Sequence, residues 1–399
     1  MATFIPLESP DQKSPARPPG FALWALGFRP FYLLAAVFSA LSVPLWALQF
    51  AGWLPGPVLH GPLWHAHEML FGFTLAVVVG FLFTAGRNWS GQPTPTGRTL
   101  QCLALLWLLA RVLAHSPWTS ASMLANLAFP WAAAWFLGRA LHAGGNRRNY
   151  FFVALLLLLG VASAVIHLWP ASGSAALQLG LDLVLFIMSV MAGRVVPMFT
   201  NNGVAGAMAT RVPLVERLAL GSVLLLLATS ALRVHGIELP AEPMALLAAA
   251  AALAHALRWW RWQPWTTVRN PLVWVLHLAY LWVPLHLALR GGQWLGWWPS
   301  GPAVHALTTG AIGLLTLAMM TRSARGHTAR PLRADRADVA AYGLIAAAAV
   351  LRTLLPLVWP GSLVVAALLA ALAWSAGWGI FAWHYAPWLS RARLDGQPG

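Results

Sequence analysis

Cysteine is almost absent: Cys102 is the only one. One thiol permits no intrachain disulfide and no cysteine-built metal centre. Charge is equally scarce. Only 9% of residues are charged, against roughly 25% in a soluble domain, so this chain cannot coat a water-facing surface. Lysine is represented by Lys13 alone among 25 basic residues, and there are 10 acidic ones. The net charge of +15 does not indicate nucleic-acid binding, because the arginines stand singly at the ends of apolar segments rather than in a run. Nucleophilic triads, phosphate-binding loops and zinc motifs are missing from the sequence. No cleavable signal peptide is visible; residues 1–20 are polar and proline-rich and are expected to form a disordered lead.

What is abundant is apolar length. Hydrophobic residues make up 59% of the 399 positions, and 24 are tryptophan, a residue suited to membrane interfaces. Apolar runs long enough to cross a bilayer fall near 30–52, 64–85, 99–115, 119–141, 149–169, 174–198, 213–233, 239–259, 271–289, 302–321, 338–358 and 361–385. The expectation is an all-α polytopic membrane protein of about 12 transmembrane helices, with residues 21–390 as one transmembrane domain and 391–399 as a tail. Arginine and lysine orient such a chain. Assigning the N-terminus and every second loop to one side places 21 of the 25 basic residues there, leaving Arg111, Arg233, Arg290 and Arg352 opposite. That predicts cytoplasmic N- and C-termini.

The spacing also suggests three repeats of four helices about a pseudo-threefold axis, over roughly 21–142, 143–262 and 263–390. Arg29, Arg148 and Arg269 open spans 1, 5 and 9 at intervals of 119 and 121 residues; Thr84, Thr200 and Thr321 close spans 2, 6 and 10 at intervals of 116 and 121. Counting back 17, 18 and 16 residues from those threonines gives His67, Asp182 and His305. At 1.5 Å per residue each lies roughly 25 Å from its threonine, so all three are expected at one depth near the outer face.

Ionisable groups inside a membrane are costly and mark functional sites, and 13 histidines is a rich supply of imidazole for haem iron, copper or zinc. The sharpest cluster is Trp64-His65-Ala66-His67-Glu68-Met69. On a regular helix His65 and His67 point apart, whereas His65 and Glu68 share a face, so Glu68 is expected to orient His65. On span 10, His305, Thr309 and Thr316 form a polar stripe. Gly310 and Gly313 beside it would admit a helix or a flat macrocycle. His277 and Tyr280 share a face of span 9 nearer the inner end, as a separate site or a second haem edge. Asp182 and Glu68 are candidates for proton delivery. His115 and His167 are expected to be interfacial, and His255 and His384 structural.

These motifs, with Gly27-Phe28-Arg29-Pro30-Phe31, Asn146-Arg147-Arg148-Asn149-Tyr150, Gly193-Arg194-Val195-Val196-Pro197-Met198-Phe199-Thr200 and the stretch from His305 through Thr321-Arg322 to Gly326-His327-Thr328, resemble the NnrS family over nearly the whole chain. The resemblance implies a haem- and copper-containing protein of the bacterial inner membrane, protecting against nitrosative stress. A looser architectural likeness to haem–copper oxidases and nitric oxide reductases sets only a prior: their usual copper site is missing here, since spans 6 and 7 offer no histidine. The expected arrangement is a haem between spans 2 and 10 with His67 and His305 as axial ligands, and with His65 and Glu68 tuning it or holding a second metal. Nitric oxide would be bound, or reduced to nitrous oxide with electrons from a quinol or a cytochrome. Membrane lipid is the expected surroundings, and no nucleic acid is involved. The rivals are a proton-coupled transporter without a cofactor and a non-catalytic metal or gas sensor.

Overall fold

The computed structural model describes residues 20–55 and 62–397; the lead expected over 1–20 lies outside them except for Gly20. It is 81% helical, with no strand among the described residues. The helices are α1 (Phe28–Phe50), α2 (Pro62–Ser90), α3 (Gly97–Leu113), α4 (Thr119–Ala143), α5 (Arg147–Leu168), α6 (Pro170–Gly203), α7 (Pro213–Val234), α8 (Ala241–Arg261), α9 (Pro271–Trp294), α10 (Ser300–His327), α11 (Arg336–Val358) and α12 (Pro360–Ser390). Ten are long and apolar enough to cross a membrane by length and composition. The other two are α3, which has 17 residues and carries Arg98 and Arg111, and α8, which carries Glu242, Arg258 and Arg261. The chain is thus an all-α, multi-pass membrane protein.

Neighbours in sequence pack as neighbours in space, and α12 lies along α1, which closes the bundle. The last helix of each expected four-helix set packs on the first of the next: α4 on α5, α8 on α9 and α12 on α1. The first and last described segments meet at one end of the bundle, where the Ala22 amide donates to Ser390 and the Ala392 amide to Gly20. The buried Arg29 reinforces this end. Its Nη1 donates to the carbonyls of Leu389 (2.9 Å) and Arg391 (2.7 Å), groups that the end of α12 leaves without helical partners.

Two helices depart from α geometry. In α2 residues Glu68–Thr74 are π-helical, and in α10 residues Ala306–Gly313 are. Each π segment starts directly after a histidine singled out above, His67 and His305. Insertions of this kind concentrate at functional sites. The long helix of α6, Gly173–Gly203, remains α throughout, so the three expected units are not alike in this respect.

Gly310 and Gly313 belong to the second π segment, but they leave no slot for a macrocycle. A Cβ at Gly310 would strike the ring of Trp282, and one at Gly313 would strike Trp374. The room left by the missing side chains is filled by indole. Gly310→Ala is therefore expected to cost about 1–3 kcal/mol through overpacking, and to lower the thermal unfolding midpoint in detergent. Gly343→Ala on α11, where a Cβ meets nothing, should leave the midpoint unchanged or raise it. Equal midpoints for the two variants would refute the packing account.

Candidate functional site

At the end of the bundle opposite the termini, the polar groups form three clusters. The first lies among α2, α3, α4 and α5. His67 is fully buried, with Nδ1 2.9 Å from Glu68 Oε1 and Nε2 3.1 Å from Ser163 Oγ. Adjacent residues on an α-helix do not face one another; this pair forms where α2 changes from α to π. Glu68 Oε1 also accepts from Arg111 Nη1 at 2.7 Å, and Arg111 Nη2 donates to Asn126 Oδ1. The His167 ring stands edge-on to His67, with centroids 5.3 Å apart. Since the paired Glu68 carboxylate only accepts, His67 carries its proton on Nδ1 and receives the Ser163 hydroxyl on Nε2. This is the order of groups in a Ser–His–acid triad, although no such triad was visible in the sequence. All three residues are 0% exposed and Arg111 neutralises the acid, so the arrangement serves as a buried polar lock rather than a nucleophile.

The expected roles are thus redistributed. Glu68 holds His67, not His65, because Arg111 draws the carboxylate towards α3. His67 has both ring nitrogens engaged and offers no lone pair to a metal in this arrangement. His167, expected to be interfacial, packs against it and keeps Nε2 buried without a partner, as does Glu68 with Oε2.

His65 turns the other way, to α1. It stacks on Trp46, with centroids 4.0 Å apart and ring planes 19° apart, and its buried Nδ1 has no partner. The Arg352 guanidinium, from α11, sits 5.7 Å from the Trp46 ring. Arg352 lies within electrostatic reach of both His65 and His305, and those two imidazoles within reach of each other. His305 Nδ1 is 2.7 Å from the Gly301 carbonyl. A carbonyl only accepts, so that nitrogen bears the proton and Nε2 presents its lone pair. Among the described residues Arg352 makes no ion pair and no hydrogen bond. The second cluster is therefore His65, His305, Arg352 and Trp46, from α2, α10, α11 and α1.

The third cluster surrounds Asp182 on α6. Arg290 clamps it with two bonds, of 2.5 and 2.9 Å, Ser230 Oγ donates at 2.6 Å and Gln178 Nε2 at 3.1 Å. A carboxylate held by four donors, two on each oxygen, is committed to a structural clamp. No hydrogen bond, ion pair or ring contact joins Asp182, His67 and His305 to one another among the described residues. The convergence expected from their spacing is therefore not seen as a contact among the described residues.

His277 and Tyr280 belong to two separate arrangements nearer the termini. His277 Nε2 is 2.8 Å from Thr200 Oγ1. Tyr280 accepts from Arg258 Nη1 at 2.9 Å and is 2.6 Å from His255 Nδ1, while Arg258 forks onto Glu216 at 2.8 and 2.6 Å. His255 Nε2 faces the Ala219 carbonyl at 3.1 Å, so the Tyr280 hydroxyl donates to Nδ1. The Tyr280 hydroxyl, its one ligand atom, is thus committed to protein.

Arg111, Ser163, Arg290 and Arg352 were not identified from the sequence as site residues. A signal for the arginines was present: three of the four exceptions to the inside rule are these residues, whereas the fourth, Arg233, pairs with Glu238 at 3.1 Å in an exposed position.

No curated protein matches the chain. The sequence profile described as NnrS protein matches residues 22–393 and so takes in all three clusters. The chain is a member of the NnrS family.

Proposed function

We propose that the chain binds haem at the cluster of His65, His305 and Arg352, and that its function is to bind nitric oxide there as part of a nitrosative-stress response in the bacterial inner membrane. The observation that carries this reading is that among the described residues Arg352 makes no ion pair or hydrogen bond, while its charge acts on two imidazoles, His65 and His305, that each keep a nitrogen without a partner among those residues. A bare divalent cation would be repelled by Arg352. A haem satisfies both features, since its iron takes imidazole and its carboxylates take the guanidinium. Compensation matters because an isolated charge within a membrane is expensive.

His305 would hold the iron through Nε2, with its Nδ1 hydrogen bond to Gly301 fixing the ring, the usual support of a metal-binding imidazole. His65, fixed by its stack on Trp46 with Nδ1 free of other partners among the described residues, would be the second imidazole available to the group. Arg352 would hold the carboxylate edge. When bound, the haem supplies an iron at which nitric oxide can be taken up. Copper is less well served. Among the described residues the only three histidine or carboxylate groups that converge closely are Asp335, Asp338 and His384, and Arg325 already lies between the two acids.

The test is an optical spectrum with iron analysis on purified protein. Wild type should show a Soret band. His305→Ala should lose at least about tenfold of the bound haem, a loss on the order of 1.4 kcal/mol or more. Arg352→Leu should retain the band but release haem faster. A wild-type protein without a Soret band, produced in cells well supplied with haem, would sink the proposal.

A further inference from the structure

Arg148 and Arg194 come from two of the motifs singled out in the sequence and take no part in the clusters above. They meet at the end of the bundle that bears the termini, where α5 begins and where α6, packed against both α5 and α7, comes to its end. Arg194 Nη1, from α6, donates to Asn149 Oδ1 at 2.8 Å. The guanidinium also stands 5.8 and 5.9 Å from the ring centroids of Phe151 and Phe152. Those rings open the apolar run of α5, Phe151–Leu168. Arg194 is therefore level with the start of that run, where hydrocarbon gives way to headgroups.

The position of Arg194 is built rather than free. Asn149 is buried; its Nδ2 donates to Asn146 Oδ1 at 2.9 Å, and Asn146 Nδ2 donates to the Trp89 carbonyl of α2 at 2.7 Å. An arginine that only snorkelled would follow water instead. Two more guanidiniums lie within electrostatic reach of Arg194: Arg148 at the start of α5 and Arg211 just before α7. Both are exposed. Among the described residues neither Arg194 nor Arg148 forms an ion pair. Arg211 Nη2 lies 3.7 Å from Glu216 Oε2, but both oxygens of that carboxylate accept from Arg258. Three like charges so gathered repel one another, and one shared anion would relieve them. Beside them Met198, one turn beyond Arg194 on α6, and Leu214 and Leu218 on α7 are exposed apolar side chains.

We infer that Arg148, Arg194 and Arg211 bind the phosphate of an anionic phospholipid where α5, α6 and α7 meet. The class follows from the chemistry. Guanidinium forks match phosphate oxygens, and basic sites between membrane helices take anionic headgroups. The acyl chains would cover Met198, Leu214 and Leu218. A free oxyanion brings the charge but leaves those side chains uncovered. A zwitterionic headgroup brings a cation of its own, which the three arginines repel. The site lies at the opposite end of the bundle from His65 and His305 and involves no metal, so it stands apart from the haem proposal.

The experiment is lipid binding. Full-length protein in a mild detergent is titrated with phosphatidylglycerol or phosphatidylcholine, and bound lipid is counted by native mass spectrometry. Wild type should bind the first phosphatidylglycerol at least about tenfold more tightly than phosphatidylcholine. Arg194→Gln should weaken phosphatidylglycerol binding by about tenfold, and Arg148→Gln and Arg211→Gln each by about three- to fivefold. Arg336→Gln removes an exposed arginine of α11, outside the cluster, and should change binding by less than about twofold. Should Arg194→Gln fail to fold, as judged by circular dichroism, the two exposed positions decide. Inorganic phosphate, set against chloride at equal ionic strength, should not displace the lipid. Equal affinity for the two lipids overturns the inference, and so does a loss in Arg336→Gln as large as in the cluster variants. Displacement by phosphate but not by chloride also overturns it, in favour of a site for a free oxyanion.

Discussion

Asp182→Ala should be among the most damaging single substitutions in the protein, lowering stability by about 3–5 kcal/mol. The reason is the arginine left behind. Arg290 is 3% exposed and gives two hydrogen bonds to Asp182; without the carboxylate its charge stays buried with only the Ser230 hydroxyl at 3.3 Å and the face of Trp294 at 4.9 Å. Neither partner neutralises it. Asp182→Asn should also destabilise, because the shape survives and the charge does not. The double variant Asp182→Asn, Arg290→Met should recover most of the loss, since removing both charges of a buried pair is often neutral or stabilising. Thermal unfolding in one detergent, across wild type, both single variants and the double variant, measures the coupling directly. If Asp182→Ala melts with wild type, the clamp contributes nothing and Asp182 regains its standing as a proton carrier.

The bundle itself was legible because long apolar runs have one structural outcome in a membrane. Helix starts and ends fell close to the expected runs, and the crowding of arginine onto alternate loops separated ordinary anchors from exceptions. Arg111 and Arg290 broke that pattern because each answers an acid inside the bundle, and Arg352 stands by the ring of Trp46. Their partners were not legible. Glu68 with Arg111 spans 43 residues and Asp182 with Arg290 spans 108, and no local rule links positions so far apart. The π segments were hidden for a different reason. Side-chain directions were assigned at 100° per residue, and the added residue per turn after His67 changes which neighbours meet, which is how Glu68 came to hold His67 rather than His65. Gly310 and Gly313 signalled close approach correctly, but a single sequence does not say whether the approaching group is a cofactor or an indole.

Glu68→Ala should match Asp182→Ala in cost, about 3–5 kcal/mol, and it separates the structural role of the first cluster from the ligand role of the second. Loss of the carboxylate strands Arg111 in the interior, where its one remaining side-chain hydrogen bond is to the neutral Asn126. It also releases His67, whose Nδ1 loses its acceptor while Nε2 keeps Ser163. Glu68→Gln preserves an acceptor for both neighbours and should cost less. Because the damage is to packing and charge, the fraction of Glu68→Ala protein that folds should carry its full share of haem, and His67→Ala should do so too. His305→Ala should show the reverse, melting close to wild type while losing the Soret band. The outcome turns on lone pairs: His67 spends both nitrogens within the protein, whereas His305 spends one. If His67→Ala abolishes the Soret band in protein that is still folded, then the histidine must leave Ser163 to reach iron, and the first and second clusters are parts of one site.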